Sequence, residues 1–223
     1  MNVFITGANR GLGFGFVSHY LARGDEVWGC YRYEMGALEP LEDERLHRVM
    51  WDMREEAPRT GGMLPERIDL LINNAGIYGP KDGAQSLEEI TPRDMQAVFD
   101  VDCIGPLRAA QYLLPRLVRA RGVIANVSSK MGSSGDNSSG GCYAYRAAKA
   151  ALVIVSKSMA VDLAPHGVRV ITLHPGWVRT DMTDNSGLID IGQSVSGMAR
   201  VIESVESYPP GAFIAFDGKE VPF

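Results

Sequence analysis

Cysteine is scarce. Cys30, Cys103 and Cys142 are the only three in 223 residues. They are odd in number and far apart, and none stands in a Cys-x-x-Cys or Cys/His spacing. Neither a disulfide framework nor a metal site is expected, and reduced thiols are the simple reading. Long apolar runs are missing as well. None approaches the ~18 residues that a membrane helix needs. Met1 leads straight into Val3-Phe4-Ile5, soon interrupted by Gly7, without the charged n-region and long apolar stretch of a signal peptide. A cytoplasmic location is expected. There is also no block or stripe of positive charge, and the net charge is -5. Nucleic acid and anionic membrane are therefore not expected as partners. Internal repeats are absent, and one stretch alone, Gly132–Gly141, is of low complexity.

What is present is ordinary globular composition, 45% apolar and 22% charged. Short apolar runs at Val3–Thr6, Glu26–Cys30, Arg48–Asp52, Leu70–Asn73, Val123–Val127, Arg169–Leu173 and Ala212–Phe216 read as strands. Several are apolar throughout, as strands covered on both faces are. Between them, helical patterns occupy roughly 12–23, 92–119, 143–164 and 193–207. This alternation predicts an α/β chain, one domain over residues 1–223, with a doubly wound parallel sheet of the Rossmann type and helices on both faces. The glycine- and serine-rich stretch at 132–141 is expected to be an ordered loop beside a site.

The run Thr6-Gly7-Ala8-Asn9-Arg10-Gly11-Leu12-Gly13 follows the first strand and opens the first helix. Glycines there permit a tight turn, let the backbone approach a pyrophosphate and allow close packing of helix on strand. The free N–H groups and the positive end of the helix dipole then face the phosphates. The spacing Gly-x-x-x-Gly-x-Gly resembles that of the short-chain dehydrogenase/reductase superfamily. The resemblance continues through Asn73-Asn74-Ala75-Gly76, Ser128-Ser129, Tyr145-x-x-x-Lys149 and Pro175-Gly176-Trp177-Val178-Arg179-Thr180, in the family's order. Within that superfamily the chain is most similar to carbonyl reductases of the Sniffer and C-factor type. The residues carrying this are Gly140 to Arg146, the stretch ending at Met182, and the short tail from Gly211 to Phe223.

Tyr145 and Lys149 are four apart on a helix and share a face. A tyrosine with a pKa near ~10 trades protons poorly at neutral pH, and a neighbouring ammonium or an oxidised nicotinamide favours its phenolate. Lowering it by about three units requires about 4 kcal/mol. The resemblance implies Tyr145 as acid/base, Lys149 as the group that lowers its pKa and holds the nicotinamide ribose, and Ser129 as donor to the substrate oxygen. Tyr143 has Ala147 where a lysine partner would stand, and is expected to be a pocket or packing residue. Ser128 is the other possible serine, and only the resemblance selects Ser129. Ser129 precedes Tyr145 by sixteen residues, a wide gap that the glycine-serine loop can absorb. Asp102, in Asp102-Cys103-Ile104-Gly105, stands where the family usually has a catalytic asparagine. Its charge is expected to tighten Lys149 and oppose the phenolate, with activity retained and the pH profile altered; alternatively the backbone carbonyl there does the work.

The second strand ends in Gly29-Cys30-Tyr31-Arg32, without the acid that prefers NAD(H). Arg10 and Arg32 are suited to a 2′-phosphate, so NADP(H) is the expected cofactor. The resemblance places Asp52, with Met53 beside it, at the adenine. Asn74, Ala75 and Gly76 go by the adenosine ribose, and Val178 and Thr180, behind Pro175 and Gly176, at the carboxamide. Gly7, Asn9, Gly11, Leu12 and Gly13 belong to the phosphate turn. The segment 181–197 is expected to close over a small or medium carbonyl substrate, being short and polar (Asp184, Asn185, Ser186, Gln193). A homodimer through the helices at 92–119 and 143–164 is implied. The alternatives are an alcohol or dihydrodiol dehydrogenase and a weakly active NADP-binding regulatory protein.

Overall fold

The computed structural model describes residues 1–59, 64–81 and 83–223. Among them, seven strands form one parallel sheet: β1 (Asn2–Ile5), β2 (Glu26–Tyr31), β3 (Leu46–Met50), β4 (Leu70–Asn73), β5 (Val123–Val127), β6 (Arg169–His174) and β7 (Phe213–Ala215). Their order is β3-β2-β1-β4-β5-β6-β7. Five helices cover its faces: α1 (Gly11–Ala22), α2 (Pro92–Phe99), α3 (Gly105–Ala120), α4 (Tyr143–Leu163) and α5 (Ile191–Glu203).

Successive strand side chains point to opposite faces, so β1 feeds both layers. Val3 and Ile5 pack with Phe16 and Tyr20 of α1 and Val195 and Met198 of α5. Phe4, between them, faces the other way, toward Trp51, Leu113 and Leu117 of α3 and Met159 of α4. Chain order reverses between β1 and β4. In open sheets of this kind the crevice beyond the carboxyl ends at such a point is where ligands bind. The glycine turn leaves β1 there, and Asn74-Ala75-Gly76 leaves β4 beside it.

Three predicted elements differ by more than one residue. The helix expected over 92–119 is broken. Thr91 starts α2 by accepting from Asp94 N (3.1 Å), with Pro92 in the first helical position. The chain then widens into a π-helical turn, Asp100–Ile104, before α3 begins at Gly105. Wide turns of this kind re-aim side chains at functional sites, and here the turn carries Asp102 inward. The pattern at 193–207 ends as α5 at Glu203, followed by a short 3-10 turn. The third strand begins two residues early, at Leu46, because its pairing with β2 runs from Val27↔Leu46 to Tyr31↔Met50. No helix among the described residues is long and apolar enough to cross a membrane.

Candidate active site

The glycine turn is stitched to both neighbouring strands. On one side Ala8 N donates to Cys30 O (2.7 Å), and the Asn9 amide donates to Glu34 O (3.2 Å). On the other side Thr6 Oγ1 accepts from the backbone N–H of Asn74 and of Ala75, both at 3.0 Å. The Asn74 amide donates to the carbonyls of Thr6 and Gly7 (3.1 Å each). Asn74 and Asn9 therefore spend their amides on the shape of the turn. A Cβ on Gly13 would run into the Gly7 carbonyl, which fixes that position as glycine. The turn and the uncapped start of α1 form a cradle, and Thr180 Cγ2 lies within ordinary contact distance (3.9 Å) of where a Cβ on Gly11 (φ +55) would stand. Helix α1 has neither a side-chain cap nor an acid in its first turn. Its first N–H groups and dipole are thus left for an anion. These features fit a dinucleotide pyrophosphate.

Around the turn stand the other predicted cofactor residues. Leu12 packs partly buried on the core beneath α1. Arg10 is 73% exposed and lies 3.6 Å from Asp181. Arg32 is exposed, with its guanidinium 4.8 Å from the Tyr33 ring centre. Asp52 is buried and held by Arg54 (Nη2–Oδ2 2.6 Å) and the Tyr33 hydroxyl (3.2 Å). Those Arg54 hydrogen bonds bring its carboxyl down to about 2. Met53 is buried, and its carbonyl accepts from Arg108. Beyond β6, Pro175 O accepts from Ser194 (2.6 Å), Gly176 lies at φ +83 and Val178 is buried.

The side chains predicted to carry the chemistry converge from three elements. Tyr145 and Lys149 project from α4, with Nζ 5.6 Å from the phenol ring centre. Ser129 follows β5; its Oγ accepts from Met131 N (3.2 Å). Ser128 donates to the Lys149 carbonyl (2.8 Å) and so anchors α4. The Lys149 ammonium donates to Val127 O (3.1 Å) and lies 3.1 Å from Asp102 Oδ2. The other carboxylate oxygen of Asp102 accepts from Ile77 N (2.8 Å). A Cβ on Gly76 would come within 3.1 Å of Asp102 Oδ2 and 3.3 Å of Nζ, so the chain after β4 lies directly over this pair.

The electrostatics differ from expectation in one respect. Burial raises the Tyr145 phenol, and Asp102 adds to the rise; Lys149 and Ser129 oppose it without prevailing. Tyr145 therefore sits above its ordinary value, not below, because a buried phenolate loses its hydration and Asp102 offsets the lysine charge. Burial works against the Lys149 ammonium, but Asp102 and Tyr145 outweigh it and hold it above its ordinary value. Burial likewise pushes the Asp102 carboxyl up, against Lys149 and the Ile77 N–H.

Several neighbours were not singled out from the sequence. The Tyr78 ring lies 5.1 Å from that of Tyr145, and its hydroxyl is 2.9 Å from Cys142 Sγ. His174 Nδ1 accepts from Lys130 N (3.2 Å), tying β6 to the turn that carries Ser129. Burial lowers His174 to about 4. Tyr143 is 38% exposed beside the site. The segment expected over the substrate, 181–197, divides: Asp181–Thr183 is a 3-10 turn, and from Ile191 the chain is already α5. Its surroundings are less polar than expected, since Trp177, Met182 and Leu188 are exposed. The loop at 132–141 is anchored by Arg146, whose guanidinium donates to Met131 O (3.1 Å) and Ser139 Oγ (2.9 Å).

Comparison with known proteins agrees with this geometry. The model of the short chain dehydrogenase family matches residues 1–188. The C-signal protein of Myxococcus xanthus is 41% identical over 157 residues, covering 70% of this chain and 93% of that protein. The NADPH-bound carbonyl reductase from chicken fatty liver superposes with a TM-score of 0.87 at 31% identity, covering 100% of this chain and 98% of the other. Carbonyl reductase Sniffer of D. melanogaster gives 0.88 at 27% identity, covering 100% and 99%.

Proposed function

Because the chain belongs to the short-chain dehydrogenase family, we propose that it is an NADP(H)-dependent oxidoreductase that reduces small or medium carbonyl compounds. The observation that carries this reading is the convergence of Tyr145, Ser129 and the Lys149–Asp102 pair at the switch point, beside the uncapped, acid-free start of α1. The cradle at Gly11, with Arg10 and Arg32 exposed and no acid at the end of β2, would hold a 2′-phosphorylated dinucleotide. When bound there, NADPH supplies the hydride. Tyr145 Oη hands its proton to the substrate oxygen, which requires the phenol protonated at neutral pH, as burial beside Asp102 keeps it. Ser129 directs its free O–H at the same oxygen. Lys149 donates to Val127 O and pairs with the Asp102 carboxylate across 3.1 Å, which leaves it a donor for a ribose hydroxyl. A positioned general acid contributes about 10²–10⁴-fold.

The exposed apolar residues Trp177, Met182 and Leu188, with Tyr143, support an apolar carbonyl substrate. A homodimer is supported by a hollow of about 400 Å³ between α2, the π turn and α4, lined by Met95, Phe99, Ile104 and Ala147. Ile154 and Val161 are exposed farther along α4. Three unpaired thiols support a reducing, cytoplasmic setting. A second reading, a cofactor-binding regulator of low turnover, draws on Asp102 neutralising Lys149. The test is NADPH oxidation with a panel of quinones, aldehydes and ketones, run beside NADP+ with alcohols. Turnover with carbonyls supports the proposal. Turnover with alcohols alone would make the enzyme a dehydrogenase, and none with either would favour the regulator.

A further inference from the structure

Helix α4 begins awkwardly for an element that carries the chemistry. The residue before it, Cys142, lies in the left-handed region (φ 51) and provides no side-chain cap. The first N–H groups of the helix therefore need acceptors from elsewhere. One of them belongs to Tyr145, which donates to Gln85 Oε1 at 3.1 Å. Gln85 comes from the segment between β4 and α2, sixty residues earlier, and is only 4% exposed. Its amide nitrogen donates to the carbonyls of Tyr78 (2.8 Å) and Pro80 (3.0 Å). All polar atoms of this buried amide are thus satisfied, and each reaches a backbone group beside the site. Between the two carbonyls, Gly79 (φ +86) brings the backbone close enough that a Cβ there would lie 3.5 Å from Gln85 Nε2. The loop held this way carries Tyr78, whose ring stands 5.1 Å from Tyr145.

We propose that Gln85 is a positioning residue for proton transfer: its amide caps the Tyr145 turn of α4 from a remote loop and holds the Tyr78 loop against that turn. The proposal rests on the reading of Tyr145 as proton donor. Helix ends fray where their N–H groups lack partners, and Tyr145 sits in the first turn. A reacting group misplaced by ~1 Å can cost ~10²-fold in rate. Gln85 touches neither the phenol hydroxyl nor the cradle, so its loss acts on the chemical step and spares cofactor binding.

Two variants and two kinds of measurement test this. Gln85→Met keeps the side chain's length and removes every polar contact. It is expected to lower kcat for carbonyl reduction by about 10–100-fold, while the NADPH Kd, read by fluorescence, changes by less than about threefold. Gln85→Glu keeps the acceptor for Tyr145 N–H and, when protonated, one donor. Its kcat is expected to approach that of the wild type at the acid end of the profile. It should fall toward the Met variant as the carboxyl ionises against two carbonyls. Amide exchange over residues 143–147 should be faster in Gln85→Met, a readout independent of turnover. A Met variant with kcat within about twofold of the wild type overturns the proposal. So does an equal loss of kcat and NADPH affinity that Glu does not rescue at any pH. Should the wild-type protein turn over no carbonyl, the proposed reaction fails on its own. Exchange then decides for Gln85: faster exchange supports the cap, and unchanged protection refutes it.

Discussion

Replacing Asp102 by asparagine removes one negative charge from the buried cluster and leaves the volume nearly unchanged. One oxygen of the carboxylate accepts from Ile77 N–H at 2.8 Å, and the other pairs with the Lys149 ammonium across 3.1 Å. An amide offers one oxygen, so one donor loses its partner, at a cost of about 1–3 kcal/mol in stability. The larger consequence concerns Tyr145. Asp102 Oδ2 is 3.1 Å from Nζ, and Nζ is 5.6 Å from the phenol ring centre. The carboxylate thus lies within about 9 Å of that centre, where two unit charges at an effective dielectric of about 20 repel by about 1.8 kcal/mol. That corresponds to about 1.3 pKa units. In the variant Lys149 keeps the Val127 carbonyl and has the phenolate as its remaining counter-ion, so the phenolate is favoured and the Tyr145 pKa falls. Reduction needs the protonated phenol, so the rate declines as pH rises through that pKa. Profiles of kcat/KM for NADPH-dependent reduction, run from neutral pH as far into alkali as the protein stays folded, should show the decline of Asp102→Asn beginning about one unit closer to neutral than that of the wild type. Turnover at neutral pH should stay within about tenfold of the wild type. A decline that does not move, or moves toward alkali, refutes the reasoning.

Other perturbations have equally definite outcomes. Arg32→Ala should weaken NADPH binding by about tenfold or more and change NADH binding by less than about twofold, since a 2′-phosphate contact is lost from one cofactor only; equilibrium fluorescence titration decides, and equal effects would remove Arg32 from the site. Gly13→Ala drives a methyl group into the Gly7 carbonyl and should cost about 1–3 kcal/mol in chemical denaturation, with NADPH binding weakened as the turn shifts. His174 is lowered from 6.5 to about 4. A buried imidazole whose folded pKa is depressed adds stability above its unfolded pKa and loses it as pH falls, here between 6.5 and about 4. That loss is at most about 3–4 kcal/mol, it coincides with loss of the acceptor for Lys130 N, and His174→Gln should flatten it in denaturant midpoints measured at both ends of the window.

The fold was readable where local chemistry decides it. β4 and β5 fall on the predicted bounds, because their apolar runs are buried on both faces. Tyr145 and Lys149 were legible from a spacing of four, which one helical turn enforces. The π turn at Asp100–Ile104 was not legible. The apolar periodicity of residues 92–119 continues through it, and the wide turn is held by Asp102 meeting Lys149 and Ile77, remote in sequence. The direction of the Tyr145 shift was missed for a related reason. The sequence supplies the neighbouring lysine, whereas burial and the carboxylate that offsets it exist only after folding. Asn74 and Asp52 were assigned by resemblance to cofactor contacts; the structure engages the first in bracing the glycine turn and the second with Arg54 and Tyr33. Gln85 carried no signal, since a lone glutamine in a polar segment looks like solvated surface until its three backbone partners are in place.

The central claim is that Tyr145 gives the proton at a site that holds NADPH independently of it. Tyr145→Phe removes one hydroxyl and leaves the Lys149–Asp102 pair, Ser129 and the glycine cradle intact. The decisive measurement is kcat for NADPH-dependent carbonyl reduction by this variant, with its NADPH Kd determined in parallel. The account predicts a fall in kcat of about 10²–10⁴-fold with Kd changed by less than about threefold. A variant that retains wild-type turnover, or one that loses activity only because it no longer binds NADPH, would contradict it.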